Sequence, residues 1–341
     1  MTSLAAPPPL ASGTVPRDAA THLAKRKRRA EKAFAANTRR ALASDWRVWV
    51  AFCTHRGCPT MPAAVDDVEA FLEAQIEGGK KRSTMDRYLS SLAQAHRVAE
   101  VPNPLDTEDG RLMLKAFRRD ERISAYRKQT KGMGWEHVEA IVSGMDPERA
   151  IDVRDAVTLL VGYDTQRRRS ELVAFRWADL SDPFPDGSAR LFLARSKTDS
   201  TGKGRWLYVS SLTLQWLVLW RAISGQSTGA ILRSVRRVKK DVRCDGELAG
   251  SEVSRILKKL AKHAGITGSF EFSGHSLRVG KTQDLFENNV SLAEVMRAGG
   301  WASPVMPVHY AEALEEGRGA AAKLATKQNR SRLAPKPRGT P

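Results

Sequence analysis

Through its first 130 residues this chain spaces its apolar residues only at helical intervals. The two-residue alternation of a strand comes in at one place, ARLFLARSKT (189–198) followed by RWLYVSS (205–211). The polar, glycine-bearing DSTGKG joins those two runs and predicts a β-hairpin. A chain with this pattern folds as mainly α, with one small antiparallel sheet late in the sequence. At 341 residues it is long enough for two cores.

Residues 34–120 read as an all-helical bundle. From Asn37, a good N-cap by residue type, the run to Gly57 puts Leu42, Trp46, Trp49, Val50 and Cys53 on one face, and Gly57 and Pro59 end it. AAVDDVEAFLEAQIEGG and STMDRYLSSLAQAHRVAE follow as amphipathic helices parted by a Gly-Gly turn, and TEDGRLMLKAFRRDERIS as another. Residues 121–134 carry many charges and few core-type side chains, and are expected to be a linker. A mostly helical second unit then spans 135–326. Its helices are WEHVEAIVSGM, ERAIDVRDAVTLLVGYDT, LTLQWLVLWRAIS, SEVSRILKKLAKHAGI, SLAEVMRAGG and one around Ala320–Leu324, and another starts near SGHSLRVG (273–280). The Pro/Ala-rich, then basic, leader 1–33 and the basic tail 327–341 are expected to be disordered.

The charge balance names the partner class. With 56 Lys+Arg against 38 Asp+Glu the formal net charge is +18, which favours a polyanion, nucleic acid first and an anionic membrane surface second. Residues 231–262 alone hold ten Lys/Arg against four Asp/Glu, and KRKRR (25–29) suits either a phosphate-seeking arm or a localisation signal. No apolar run approaches the roughly 20 residues of a membrane span, and the N-terminus lacks the pattern of a secretory signal. Three cysteines make no disulfide framework. Cys53, His55 and Cys58 lack a second ligand pair at zinc-finger spacing, so no metal and a reduced, cytoplasmic setting are expected.

His275 and Arg278 stand three apart, on one face of a helix, a titratable ring beside a permanent cation. Breaking a phosphodiester without a metal calls for cations around the non-bridging oxygens, a nucleophile, an acceptor for its proton and a donor for the leaving oxygen. Arginine suits the first task because its planar fork stays charged and binds bidentately.

Residues 273–310 resemble the catalytic half of the tyrosine recombinase (phage-integrase) family, and its Cre-like branch most closely. The family pattern of His-x-x-Arg, Gly-Gly-Trp and a tyrosine shortly after is present in order as His275, Arg278, Gly299-Gly300-Trp301 and Tyr310. GYDTQRRRSELVAFRWADL resembles the family's first arginine box, in which an arginine precedes a glutamate by three. Arg167 and Arg169 make the register ambiguous by one, and the spacing to Glu171 selects Arg168. The turn in ARSKTDSTGKG resembles the catalytic-lysine turn, which assigns Lys197.

The resemblance implies a role for each. Tyr310 attacks the scissile phosphate to form a 3′-phosphotyrosyl link. Arg168 and Arg278 clamp the non-bridging oxygens and Trp301 donates its indole N–H to them. His275 assists proton transfer, Lys197 protonates the 5′-oxygen, and Glu171 orients these groups. No cofactor is implied. The partner is double-stranded DNA with paired inverted repeats around a short spacer, cut and exchanged in two rounds by four protomers that are monomers or dimers when free. A bacterial, phage or plasmid-encoded, nucleoid-associated protein is the expected setting, and no arm-binding domain is seen before the bundle.

The bundle resembles the family's core-binding domain, which points to Arg39, Arg40, Arg82 and Arg87 as DNA-facing; Arg233, Arg236, Arg237 and Arg255 are the counterparts in the second unit. All are phosphate contacts by default. Ser251 stands where Cre-like proteins carry a recognition-helix arginine, so a different target preference is expected. Two rival readings use the same sequence: a type IB topoisomerase-like enzyme that relaxes supercoils, and a DNA-binding regulator that does not cleave.

Overall fold

The computed structural model describes residues 32–123, 129–196, 202–238 and 241–333, together with Lys25, Arg28 and Arg29. The chain divides into two compact units, Met1–Arg127 and Lys128–Pro341.

The first unit is built from four helices: α1 (Ala36–Arg56), α2 (Val65–Glu77), α3 (Arg82–Ala99) and α4 (Glu108–Arg119). Their apolar faces close over one core containing Trp49, Cys53, Val68, Phe71, Met85, Leu89, Met113 and Phe117. Thr107 caps α4, its hydroxyl accepting the Gly110 N–H at 3.0 Å. Asn37 does not act as expected. The helix has already begun one residue earlier, behind Ala35, and Asn37 instead accepts from Arg40 in the first turn. The unit also buries a charge that spacing alone did not reveal. Asp45, 3% exposed, accepts from Arg87 and, at 2.7 Å, from the Ser91 hydroxyl.

In the second unit α5 (Trp135–Val142) leads into α6 (Ala150–Thr165), which is buried along almost its whole length. A helix covered on all sides has no polar stripe, so its buried charges are paired: Arg154 meets Asp155 at 2.6 Å and donates to the Arg233 carbonyl at 3.1 Å. The hairpin expected between 189 and 211 is β1 (Ala189–Leu193) and β2 (Arg205–Val209), antiparallel, with Leu191 opposite Leu207. Ala189, Leu191 and Leu193 point into the core with Leu207 and Val209, while Trp206 and Tyr208 face out.

After the short helix α7 (Arg169–Leu172) and this hairpin come α8 (Ser211–Ser224), the strands β3 (Arg233–Val238) and β4 (Asp241–Glu247), α9 (Gly250–His263), α10 (Ser276–Glu287), α11 (Leu292–Gly299), α12 (Val305–Arg318) and α13 (Ala320–Lys327). The pair β3–β4 is a second two-stranded sheet where one sheet was expected. Its strands, RSVRRV and DVRCDGE, are dominated by charge and are shifted in register between Ser234 and Arg236, which hides the two-residue period.

The stretch expected to be a linker reaches into both cores: Ile123 is buried in the first, and Met133 is wholly buried in the second. The leader falls largely outside the described residues. Of the tail, Lys327 closes α13 and Arg330–Leu333 forms a 3₁₀ turn, so order extends past the expected boundary at 327.

Candidate active site

The site assembles where α6 ends. Gln166 takes a left-handed conformation, φ 54°, and stops the helix, so the next three residues leave in new directions. These are the three consecutive arginines, and each goes to a different place. Arg167 turns inward and is 4% exposed. Arg168, in an extended conformation, precedes α7 and meets its third residue, Glu171. One Glu171 oxygen accepts the Arg168 backbone N–H at 3.2 Å and the other accepts Arg168 Nη1 at 2.9 Å. Arg169 is exposed. The spacing that selected Arg168 thus corresponds to a physical pair, because residues three apart at a helix start can bond side chain to backbone.

The stretch SGHSLRVG forms the start of α10. Ser273 N–H donates to the Ser276 hydroxyl at 2.8 Å, and Gly274 N–H to Ser254 of α9 at 2.9 Å, so this start is pinned from both sides. His275 sits at the N-cap and Arg278 one turn in. Arg278 is 3% exposed; its Nη1 donates to the Gln166 carbonyl at 2.6 Å, and its buried Nη2 has no hydrogen-bond partner among the described residues. A guanidinium nitrogen left like this loses the full value of its hydration. Burial, with the field of Arg168, lowers the Arg278 pKa to about 10.

Trp301 follows α11 because of the two glycines before it. Gly300, at φ 66°, is the left-handed residue that ends the helix, and Trp301 N–H returns to the Met296 carbonyl at 3.0 Å. A Cβ on Gly299 would lie 1.7 Å from Trp301 Cζ3, so the indole lies flat against a position that only glycine can hold. The ring also meets Arg278, whose Cζ lies over it 4.1 Å from the centroid. Tyr310 of α12 packs edge-on to the same indole, with ring centroids 6.3 Å apart. Its own backbone carbonyl is held by Gln283 at 3.1 Å and Gln129 at 3.2 Å.

Electrostatics divide the two proton-bearing groups. Burial raises the Tyr310 pKa above that of an ordinary phenol, while Arg278 and Arg168 pull the other way. Partial desolvation, and then the cations Arg278, Arg168 and Arg169, hold His275 below its ordinary value. At neutral pH the phenol keeps its proton and the imidazole is free to accept one. Among the described residues at this centre, Glu171 is the carboxylate set against Arg167, Arg168, Arg205 and Arg278. A cluster with that balance attracts an anion.

Of the residues picked from sequence, the structure therefore brings together Arg168, Glu171, His275, Arg278, Trp301 and Tyr310. Lys197 lies outside the described residues. The outlying arginines divide differently. Arg39 and Arg40 are exposed on the first turns of α1, and Arg236 is exposed on β3. Arg82 donates to the Arg118 carbonyl at 3.2 Å, Arg87 to Asp45, and Arg255 to Glu252. Arg233 spends all three nitrogens on the carbonyls of Ala230, Asp245 and Thr228, which ties a loop rather than offering a charge outward. The side chain of Arg237 lies outside the described ones. Two further residues lie at the site: Arg167, which the sequence offered only as the neighbouring register of Arg168, and Arg205, which no spacing signal marks.

Comparison with known proteins meets this geometry. Residues 133–316 match the phage integrase family, and residues 27–100 match the phage integrase N-terminal SAM-like domain. The chain is similar to recombinase Cre of Escherichia phage P1, 27% identical over 316 residues, covering 87% of this chain and 90% of that one. It is similar at 26% over 297 residues to an integrase/recombinase XerD homolog of Selenomonas ruminantium, covering 84% and 85%. Among solved structures, a lambda integrase dimer bound to a COC′ core site superposes with a TM-score of 0.55 at 20% identity, over 85% of this chain and 76% of that one. The XerH recombinase in a post-cleavage complex with a palindromic difH substrate gives 0.52 at 14% identity, over 76% and 72%. At these identities the two structures speak to the fold.

Proposed function

The chain belongs to the phage integrase family, the tyrosine recombinases, whose members cleave and rejoin DNA, and from that membership we propose a site-specific recombinase of the Cre type. In this reading Tyr310 Oη attacks the scissile phosphorus and gives up its proton. A new P–O bond forms to the tyrosine, the bond to the 5′-oxygen breaks, and that oxygen takes a proton as it leaves. Rejoining runs the same steps backwards from a 5′-hydroxyl. The count of phosphoester bonds never changes, so no nucleotide hydrolysis has to drive the exchange.

Each residue acts on a stated atom. Arg168 and Arg278 bind the non-bridging oxygens as charge gathers there, and Trp301 adds an indole N–H, which can only donate. Glu171 fixes the Arg168 fork. His275, neutral at the outset, accepts or relays the phenolic proton, and Lys197 supplies one to the 5′-oxygen. The observation that carries the reading is the buried, unpartnered Nη2 of Arg278 beside Arg168, Trp301 and Tyr310. An anionic oxygen is the partner such a donor lacks.

The substrate in this proposal is a pair of inverted repeats around a short spacer. Four protomers assemble on two such sites and exchange strands in two rounds. The exposed Arg39, Arg40 and Arg236 are its phosphate contacts, which position the duplex without reading bases.

Covalent capture from a random pool of nicked duplexes tests the whole reading, because the nick lets a short fragment leave and traps the phosphotyrosine. Wild type retaining one palindromic motif through a denaturing wash, with Tyr310→Phe retaining nothing, is the expected result. Attachment to unrelated sequences points to topoisomerase-like relaxation. No attachment by a folded, DNA-bound protein ends the enzyme reading in favour of a regulator.

A further inference from the structure

The last carbonyls of an α-helix have no partner within the helix and carry its negative dipole end. At the end of α11 every one of them is accounted for. Met296 accepts from Trp301 N–H, and Arg297 from Gly300 N–H. Ala298 and Gly299 both accept from Arg167 Nη2, at 3.2 and 2.7 Å, while Arg167 Nε holds the Thr165 carbonyl at 2.6 Å. Arg205 Nη2 adds a second donor to Arg297. The two guanidinium groups close over Gly300 from outside: a Cβ there would stand 2.6 Å from Arg205 Nη1 and 3.2 Å from Arg167 Nη1.

These two arginines come from different elements. Arg167 is the residue before Arg168, and Arg205 opens β2, paired with Leu193 at the end of the ladder. Among the described residues neither forms an ion pair; carbonyl oxygens are their partners. Holding cations this way is costly, and burial brings the Arg167 pKa down to about 9. The segment they grip is the one that presents Trp301.

We propose that Arg167 and Arg205 are positioning residues: together they clamp the C-terminal carbonyls of α11 and so fix the Gly299–Gly300–Trp301 turn against Arg278 and Tyr310. This rests on the recombinase reading for its consequence in catalysis, though not for the clamp itself. The clamp joins three parts of the chain, the turn before Arg168, the start of β2 and the tryptophan, through one helix end. Arginine is needed at 167 because one side chain must reach three carbonyls in a plane; a lysine presents a single nitrogen.

The test starts without DNA. In the full chain labelled with 5-fluorotryptophan, Trp301→Phe identifies one of eight fluorine resonances. Arg205→Gln, at a partly exposed position, is expected to move or broaden that resonance while the other seven stay. Arg167→Met does the same with a larger shift, and amide exchange at Gly300 and Trp301 speeds at least tenfold. A Trp301 resonance untouched by both substitutions overturns the clamp, whatever the enzyme does. The activity arm measures covalent adduct formation in single turnover on a nicked target. Arg205→Gln is expected to lower the rate about tenfold with DNA affinity within twofold, Arg205→Lys to recover most of it, and Arg167→Lys little. If the clamp acts through the indole, Arg205→Gln costs almost nothing further in a Trp301→Phe background. Additive losses overturn it. Should wild type form no adduct on any DNA, the recombinase reading falls, and the fluorine spectra still decide the clamp.

Discussion

Both units bury charge, and they treat it in opposite ways. In the helical bundle Asp45 is neutralised by Arg87 and hydrogen-bonded by Ser91, so the group is complete within the protein. At the centre of the second unit four arginines gather around Glu171, and one of them keeps an unpartnered buried nitrogen. A closed network stabilises the fold that makes it, whereas an open one is held in place by the rest of the fold. The difference separates a structural ion pair from the proposed binding site more sharply than burial or residue type, since both sets are arginine and carboxylate.

The contrast can be broken first at Tyr310. Tyr310→Phe removes the proposed nucleophile and is expected to abolish covalent adduct altogether, with DNA binding by gel shift retained. Arg278→Gln comes next. Loss of one donor to developing charge costs on the order of 10²–10³-fold in rate. Because one of its buried nitrogens has no partner, the thermal midpoint is expected to stay level or rise; a fall of several degrees would put Arg278 with Asp45 among the structural charges. Asp45→Ala, in turn, leaves Arg87 without its partner and removes the Ser91 bond. Arg87 reaches solvent, so the loss is moderate, about 1–3 kcal/mol in urea denaturation, with the cleavage rate of the folded protein unchanged.

The smallest effect concerns pH. The folded protein holds the His275 pKa below its ordinary value, so the unfolded chain takes up the proton first. Stability is therefore complete above the ordinary histidine range and declines as pH falls through it to the folded pKa. His275→Gln does not share that decline. Unfolding free energies of the two proteins at pH 7.5 and 5.5 should diverge in the direction of a weaker wild type at the lower pH. The reverse sign would mean that the imidazole has an anionic partner in the folded protein, contrary to the cations that surround it.

Much of this was legible in the order of residues, for reasons that the structure makes plain. Amphipathic spacing showed the four helices of the bundle because each packs one face, as Trp49 and Cys53 do on α1. The first hairpin was legible because the buried Leu191 and Leu207 alternate with less buried neighbours. Arg168 could be picked from its neighbours since its partner lies a fixed three residues away. What stayed hidden depends on contacts distant in sequence. Nothing near Asp45 announces a buried carboxylate; its partners are 42 and 46 residues on. The inward turn of Arg167 follows from the left-handed Gln166 and from carbonyls more than 130 residues away. The β3–β4 pair was hidden by its own charges, and α12 by Pro307, which its first turn tolerates because those N–H groups have no helical partner.

One consequence of the flat seat beneath the indole reaches beyond this molecule to what its sequence can become. A library randomised at position 299 should return glycine alone among active clones, because even alanine must evict the ring or bend the helix. Position 300 should admit asparagine only at a cost, since the left-handed backbone is strained rather than forbidden and the Arg205 guanidinium must swing away from the new Cβ. The exposed 302–304 segment just beyond should accept nearly anything. Drift in this region is therefore channelled, with a closed door at 299, a narrow one at 300 and open ground after the tryptophan.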